Sequence, residues 1–310
     1  MNQGWTYQER VDRDRAGLTL LQYYSQQYRH SNPQEWQERI ASGQILLEGT
    51  PATADTLLKA GQWLTYHRPP WQEPDVPLSF QVFYEDADLL IAEKPSGLPV
   101  LPGGGFLENT LLYLLQQRYP NETPVPIHRL GRGTSGLMLL ARSALAKAKL
   151  SQQMRKNTLE TAIDHPIRKT YRTLVGKSEL PDRFTLNYAI GKVPHPVLGY
   201  VYGAVPDGVF AYSECQVLRR TSTATLLEVT ILTGRPHQIR IHLAAAGYPL
   251  LGDPLYEVGG VPRLQAAIAD EKLPVPGDCG YHLHAYRLSF SHPRTDQRMD
   301  CVCPPPPELA

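Results

Sequence analysis

The 310-residue sequence predicts an α+β fold with a mixed, mainly antiparallel sheet, preceded by a small N-terminal unit. Three observations carry this. Apolar runs of strand length are joined by short, irregular connections, without the regular strand–helix alternation that builds a parallel sheet. Residues 66–77, YHRPPWQEPDVP, hold four prolines in twelve positions. Proline fixes φ and lacks a backbone donor, so this stretch reads as an extended linker. Finally, 42% of residues are hydrophobic and 20% charged, enough for a sizeable core in the longer unit.

The elements follow in chain order. Leu18, Leu21, Tyr24 and Tyr28 fall at helical spacing. Asn32-Pro33 can cap and start a second helix, which Gly43 can end. Gln44–Leu47 and Trp63–Tyr66 read as short strands. Beyond the linker, Phe80–Tyr84 and Leu89–Lys94 read as strands around an acidic turn, and Leu137–Ala141 as a buried strand. Ser143 can cap a basic helix over about 144–156. Tyr171–Val175 and Ala224–Leu232 are further strands. Pro236 can start a helix whose stripe is Ile239, His242, Leu243 and Ala246, and Gly247 can end it. The tail 304–310 is expected to be disordered.

Charge narrows the choice of partner. The net charge is +1, yet residues 128–177 carry eleven Lys/Arg against Glu160 and Asp164. Such segregation suggests a basic face for a polyanion; the alternative is a solvated surface neutralised by acids from other segments. Four cysteines, Cys215, Cys279, Cys301 and Cys303, are too few for a disulfide scaffold, and no metal-ligand spacing includes them. The N-terminus has no apolar signal core and no run approaches spanning length, so a cytoplasmic monomer is expected. A serine hydrolase is excluded, because Gly133-Thr-Ser-Gly136 does not match a nucleophile elbow and no triad is visible.

Four segments carry a resemblance. They are Lys94-Pro-Ser-Gly-Leu-Pro-Val100, His128-Arg-Leu-Gly-Arg-Gly-Thr-Ser-Gly136, Arg168-Lys-Thr-Tyr-Arg172, and Thr233-Gly-Arg-Pro-His-Gln-Ile-Arg-Ile-His-Leu243 running on to Gly252-Asp-Pro-Leu-Tyr256. In this order, and with Leu283–Leu288 behind them, they resemble the RluA family of pseudouridine synthases from about residue 78 to 300. Gly43-Gln-Ile-Leu-Leu-Glu-Gly49 resembles, more loosely, a segment of the S4-like RNA-binding domain. The implied layout is an S4-like domain over 1–68, a linker over 69–77 and a synthase-like domain over 78–303. The family isomerises uridine in RNA, rRNA or tRNA here, and the resemblance implies no cofactor and no metal. The target base must be flipped out of folded RNA.

The resemblance also implies roles. Arg129 matches the arginine that helps displace the target base, Tyr171 the tyrosine that stacks on uracil, and Arg240 the arginine that pairs with the catalytic aspartate. Arg235 is expected at the cleft edge. Arg132, Lys147, Lys149, Arg155 and Lys156 are expected to meet RNA with it. The histidines 128, 237 and 242 read as structural. The family's motif places its aspartate where this sequence has Gly131, and Gly133 follows. Glycine can do neither nucleophilic nor acid–base work. Arg240 then needs another partner, because an unpaired buried guanidinium is costly. The candidates are Glu93, Asp86, Asp88, Asp164 and Asp253, and one of them could replace the nucleophile. The alternative is a catalytically silent RNA-binding protein. Residues 157–167 look like an insertion.

Overall fold

A computed structural model describes residues 1–156, 167–264 and 273–310. The chain divides into two compact units, residues 1–73 with 195–199, and residues 74–194 with 200–310.

In the first unit β1 (Trp5–Arg10), α1 (Leu20–Gln27), α2 (Pro33–Ala41), β2 (Ile45–Leu47), β3 (Thr50–Pro51) and β4 (Trp63–Arg68) follow in order. The second helix starts at Asn32-Pro33 as expected, and the first at Leu20, inside the stripe that begins at Leu18. Thr19 and Asn32 each accept from the N3 backbone while the N3 side chain returns the bond, and Pro33 fills the first turn of α2. The helices bury Leu20, Tyr24, Trp36 and Ile40 against Ile45 and Leu64. The sheet order is β1-β4-β2-β3. This unit reaches Glu73, whose carboxylate accepts Asn2 Nδ2–H at 2.7 Å, so the start of the expected linker is held by side-chain bonds.

In the second unit come β5 (Gln81–Glu85), β6 (Leu89–Lys94), α3 (Leu111–Arg118), β7 (Val125–Pro126), β8 (Ser135–Ala141) and α4 (Ala144–Lys156). Next are β9 (Arg168–Gly176), β10 (Arg183–Leu186), β11 (Ile190–His195), β12 (Gly199–Ala204), β13 (Ser213–Arg220) and β14 (Ala224–Ile231). The last are α5 (Gln238–Ala245), β15 (Tyr256–Glu257), β16 (Val261–Pro262), β17 (Leu283–Ser291) and β18 (Arg298–Val302). Among the described residues ten strands form one sheet, in the order β10-β13-β14-β9-β17-β8-β6-β5, with β18 on β17 and β7 on β8. The β8–β17 pair is parallel and the others are antiparallel, so the sheet is mixed and mainly antiparallel.

Strand alternation gives the sheet two apolar faces. Leu90, Ala92, Met138, Leu140 and Tyr171 lie on one, with Leu111 and Leu115 of α3 and Ile239 and Leu243 of α5. Leu89, Ile91, Leu137 and Leu139 lie on the other, under Ala146 and Leu150 of α4. Gly136 opens β8 at φ +100°, and a Cβ there would stand 2.4 Å from Ala285 O, so only glycine lets the parallel strands meet.

The tail is ordered, contrary to the expectation from its composition. Pro307–Leu309 form a 3₁₀ turn, Leu309 is 1% exposed, and its carbonyl accepts Arg172 Nη1–H at 3.1 Å. One buried leucine and one backbone bond anchor a segment that composition alone marks as free.

Candidate active site

The loop His128–Thr134 is pinned from below. His128 Nε2 accepts Leu139 N–H at 3.1 Å, which a protonated ring could not do. Burial, with Lys169 nearby, pulls this imidazole down to about 3. Lys94 is wholly buried, and its ammonium donates to the carbonyls of Pro95, Leu98 and Arg132 at 2.8, 2.8 and 3.1 Å. Burial lowers its pKa to about 7. Gly97 N–H donates to Arg132 O, and Ser96 Oγ–H donates to Gly133 O, both at 2.8 Å. The Lys-Pro-Ser-Gly motif therefore holds the loop by its backbone.

The loop forms one wall of a cleft of about 630 Å³. Gly131, Arg129 and Arg132 lie on this wall, Lys169 and Tyr171 come from β9, and Arg235 and Arg240 from the approach to α5 and the helix itself. Six of the ten site residues named from sequence thus converge here. Tyr171 is 7% exposed, and its burial raises the phenol's pKa. Arg132 Nε–H donates to Cys279 Sγ at 3.2 Å, and its guanidinium lies 5.2 Å from the Phe106 ring centre. Arg235 Nε–H donates to Phe210 O at 2.9 Å.

Arg240 has its carboxylate. Asp253 accepts Nε–H and Nη2–H of Arg240, each at 2.7 Å, with the side chains 2% and 1% exposed. Asp253 Oδ1 also accepts the backbone N–H groups of Leu255 and Tyr256. The guanidinium lies 5.0 and 4.2 Å from the ring centres of Tyr256 and Tyr281. Asp253 is the candidate that meets Arg240, and both its oxygens are committed. His237, at φ 53°, holds Tyr256 Oη at 2.7 Å through Nδ1, and His242 Nε2 lies 3.0 Å from Tyr188 O. Burial lowers both imidazoles, to about 3 and about 4, and His237 lines the cleft.

The other acids are elsewhere. Asp88 binds Arg294 and Ser143, while Asp86 binds Tyr84, His292 and the backbone of its own turn. Glu93 lines a separate pocket beside His284 and Glu308. Asp164 and the rest of 157–166 lie outside the described residues. Among the described residues, no aspartate or glutamate lines the cleft. Lys147, Lys149, Arg155 and Lys156 do not reach it either. They ride on α4, which packs on the opposite face of the sheet from Tyr171.

Two cleft residues went unread in the sequence. Lys169 is 8% exposed, and burial lowers its ammonium to about 8, with no acid contributing to the shift. Its signal was available: it stands two residues before Tyr171, so strand alternation puts both on one face. Tyr281, 4% exposed, gave no local signal.

The mixed sheet, with the cleft on its Tyr171 face, has the architecture of the pseudouridine synthases. The family profile described as RNA pseudouridylate synthase matches residues 88–245, and the chain belongs to the RNA pseudouridine synthase family. It is 50% identical, over 94% of its length and 95% of the relative's, to an uncharacterized RNA pseudouridine synthase of Synechocystis sp.. It is 39% identical to RNA pseudouridine synthase 5 of Arabidopsis thaliana, over 100% of this chain and 95% of that one. Among solved structures it resembles human RNA Pseudouridylate Synthase Domain Containing 1 in fold, with a TM-score of 0.55 at 21% identity, covering 77% of this chain and 89% of that one. Among the described residues no helix is long and apolar enough to cross a membrane.

Proposed function

We propose that this chain isomerises a specific uridine of structured RNA, rRNA or tRNA, to pseudouridine. The observation that carries this is the meeting of Arg129, Tyr171 and Arg240 in one cleft whose lining also holds Arg132, Lys169, Arg235 and apolar side chains. In this reading Tyr171 stacks on the extruded uracil, Arg129 helps displace the base, and Arg132, Arg235 and Lys169 meet phosphates. The N-terminal unit, with its S4-like segment, binds a further part of the same RNA. The reaction uses no side chain at position 131, so its carboxylate comes from beyond the described lining; Asp164 is the remaining sequence candidate.

One observation favours a second reading, binding without turnover: the cleft has no acid among its described lining residues. The deciding experiment maps pseudouridines in total RNA with and without the gene. Loss of one site on deletion, restored in vitro by the purified chain and abolished by Asp164→Asn, supports the isomerase. No change at any site, alongside RNA binding, supports the second reading.

A further inference from the structure

Gly131 and Gly133 are not required by backbone conformation, because neither has the left-handed φ that Gly136 adopts. They are favoured by space. A Cβ on Gly131 would stand 2.9 Å from Tyr281 Oη and 3.5 Å from Thr134 Oγ1. A Cβ on Gly133 would stand 3.0 Å from Tyr281 Cζ and 3.1 Å from Cε1. One phenol therefore fills the volume above both glycines. The ring cannot easily retreat. Its face lies 4.2 Å from the Arg240 guanidinium, which Asp253 holds in two hydrogen bonds. The hydroxyl lies 3.4 Å from Thr134 Oγ1, in the wall of the cleft that also holds Tyr171 and Arg129.

We propose that Tyr281 occupies the place of the side chain that position 131 lacks and turns its hydroxyl to the bound uridine nucleotide. Phenol and carboxylate share one property there: each offers an oxygen as a hydrogen-bond acceptor. The phenol also donates, and it carries no charge at neutral pH, so it adds polarity to the cleft without opposing phosphate. The inference rests on the reading of the cleft as a uridine site.

Two measurements on the full chain test it. The first uses uridine 5′-monophosphate as the probe, followed by titration calorimetry. Tyr281→Phe keeps the ring and removes only the hydroxyl, so Kd should rise about 3- to 10-fold, the loss of one hydrogen bond, with Tm lowered only by the loss of the Thr134 contact. The second is a double-substitution cycle. Gly131→Ala should lower Tm in the wild-type background and have little effect beside Tyr281→Ala, because the clash has gone. Equal effects of Gly131→Ala in both backgrounds overturn the shared volume. Wild-type affinity in Tyr281→Phe overturns the contact with the nucleotide. Failure of the unsubstituted chain to bind the probe overturns the uridine reading of the cleft, and with it that contact, while the cycle still reports on the packing.

Discussion

Asp253→Asn is the substitution whose cost the structure sets most sharply. It preserves the shape of the side chain but removes the charge opposite Arg240. Both side chains are almost wholly buried, at 2% and 1% exposure, so water cannot replace what is lost. The carboxylate accepts four bonds, two from the guanidinium and two from the Leu255 and Tyr256 backbone. An amide nitrogen in either oxygen position would point a donor at donors. Removing one partner of a buried pair costs about 3–5 kcal/mol, because the other charge is left uncompensated. That is a large part of the ~5–15 kcal/mol that stabilises a typical protein. For a domain of this size it corresponds to a fall in Tm of roughly 6–20 °C. Thermal melts followed by circular dichroism, with urea titration at 25 °C, read both quantities. Arg240→Met with Asp253→Leu should cost less than Asp253→Asn alone, since both charges leave together. A single-substitution loss under about 1 kcal/mol would refute the argument that this pair is dry and committed.

Other expectations follow from the same geometry. RNA affinity should fall as pH rises through about 8, where the buried Lys169 ammonium loses its charge; Lys169→Arg should remove that step, and a step that persists excludes Lys169. Removing the charges of Lys147, Lys149, Arg155 and Lys156 should weaken binding of long RNA and flatten its salt dependence. Binding of uridine 5′-monophosphate should stay the same, because α4 packs on the opposite sheet face from Tyr171. An unchanged salt slope would take the helix off the RNA surface. His128 is held far below its unfolded value of 6.5, so the unfolded chain binds the extra proton first and stability should fall as pH drops from about 6.5 towards 3. Urea midpoints should show a shallower acid loss in His128→Gln, where the amide oxygen can still accept Leu139 N–H; an identical slope would assign the loss to other groups.

What was legible in the sequence was local or was carried by a run of motif residues. Asn32-Pro33 announced its helix, and its capping box, like that at Thr19, spans only four residues. The motif strings placed Arg129, Tyr171 and Arg240 in a common cleft because each string travels with its strand or helix. Other features depend on partners far along the chain. Strand β1, WTYQER, is too polar to read as a strand and exists through its pairing with β4. The charge count marked the basic helix for RNA, but such a sum does not record that the helix covers the sheet face opposite Tyr171. Arg240's need for a carboxylate could be reasoned from burial, yet choosing Asp253 among five acids took the turn after α5, where two backbone N–H groups aim at the same oxygen. Tyr281 stands 147 residues from Thr134, and nothing around either hinted at the other.

The fit of one phenol over two glycines also bears on how this chain can change. An aspartate introduced at position 131 would meet Tyr281 Oη before it could reach a substrate. A change at 281 alone would leave a void above two glycines and strip Arg240 of a ring it packs against. Each single step is costly and the pair together is not, so neighbouring sequences should carry either the glycines with the tyrosine or neither. With all three residues in place, a side chain at position 131 requires two coordinated substitutions, and ordinary point mutation seldom supplies them at once.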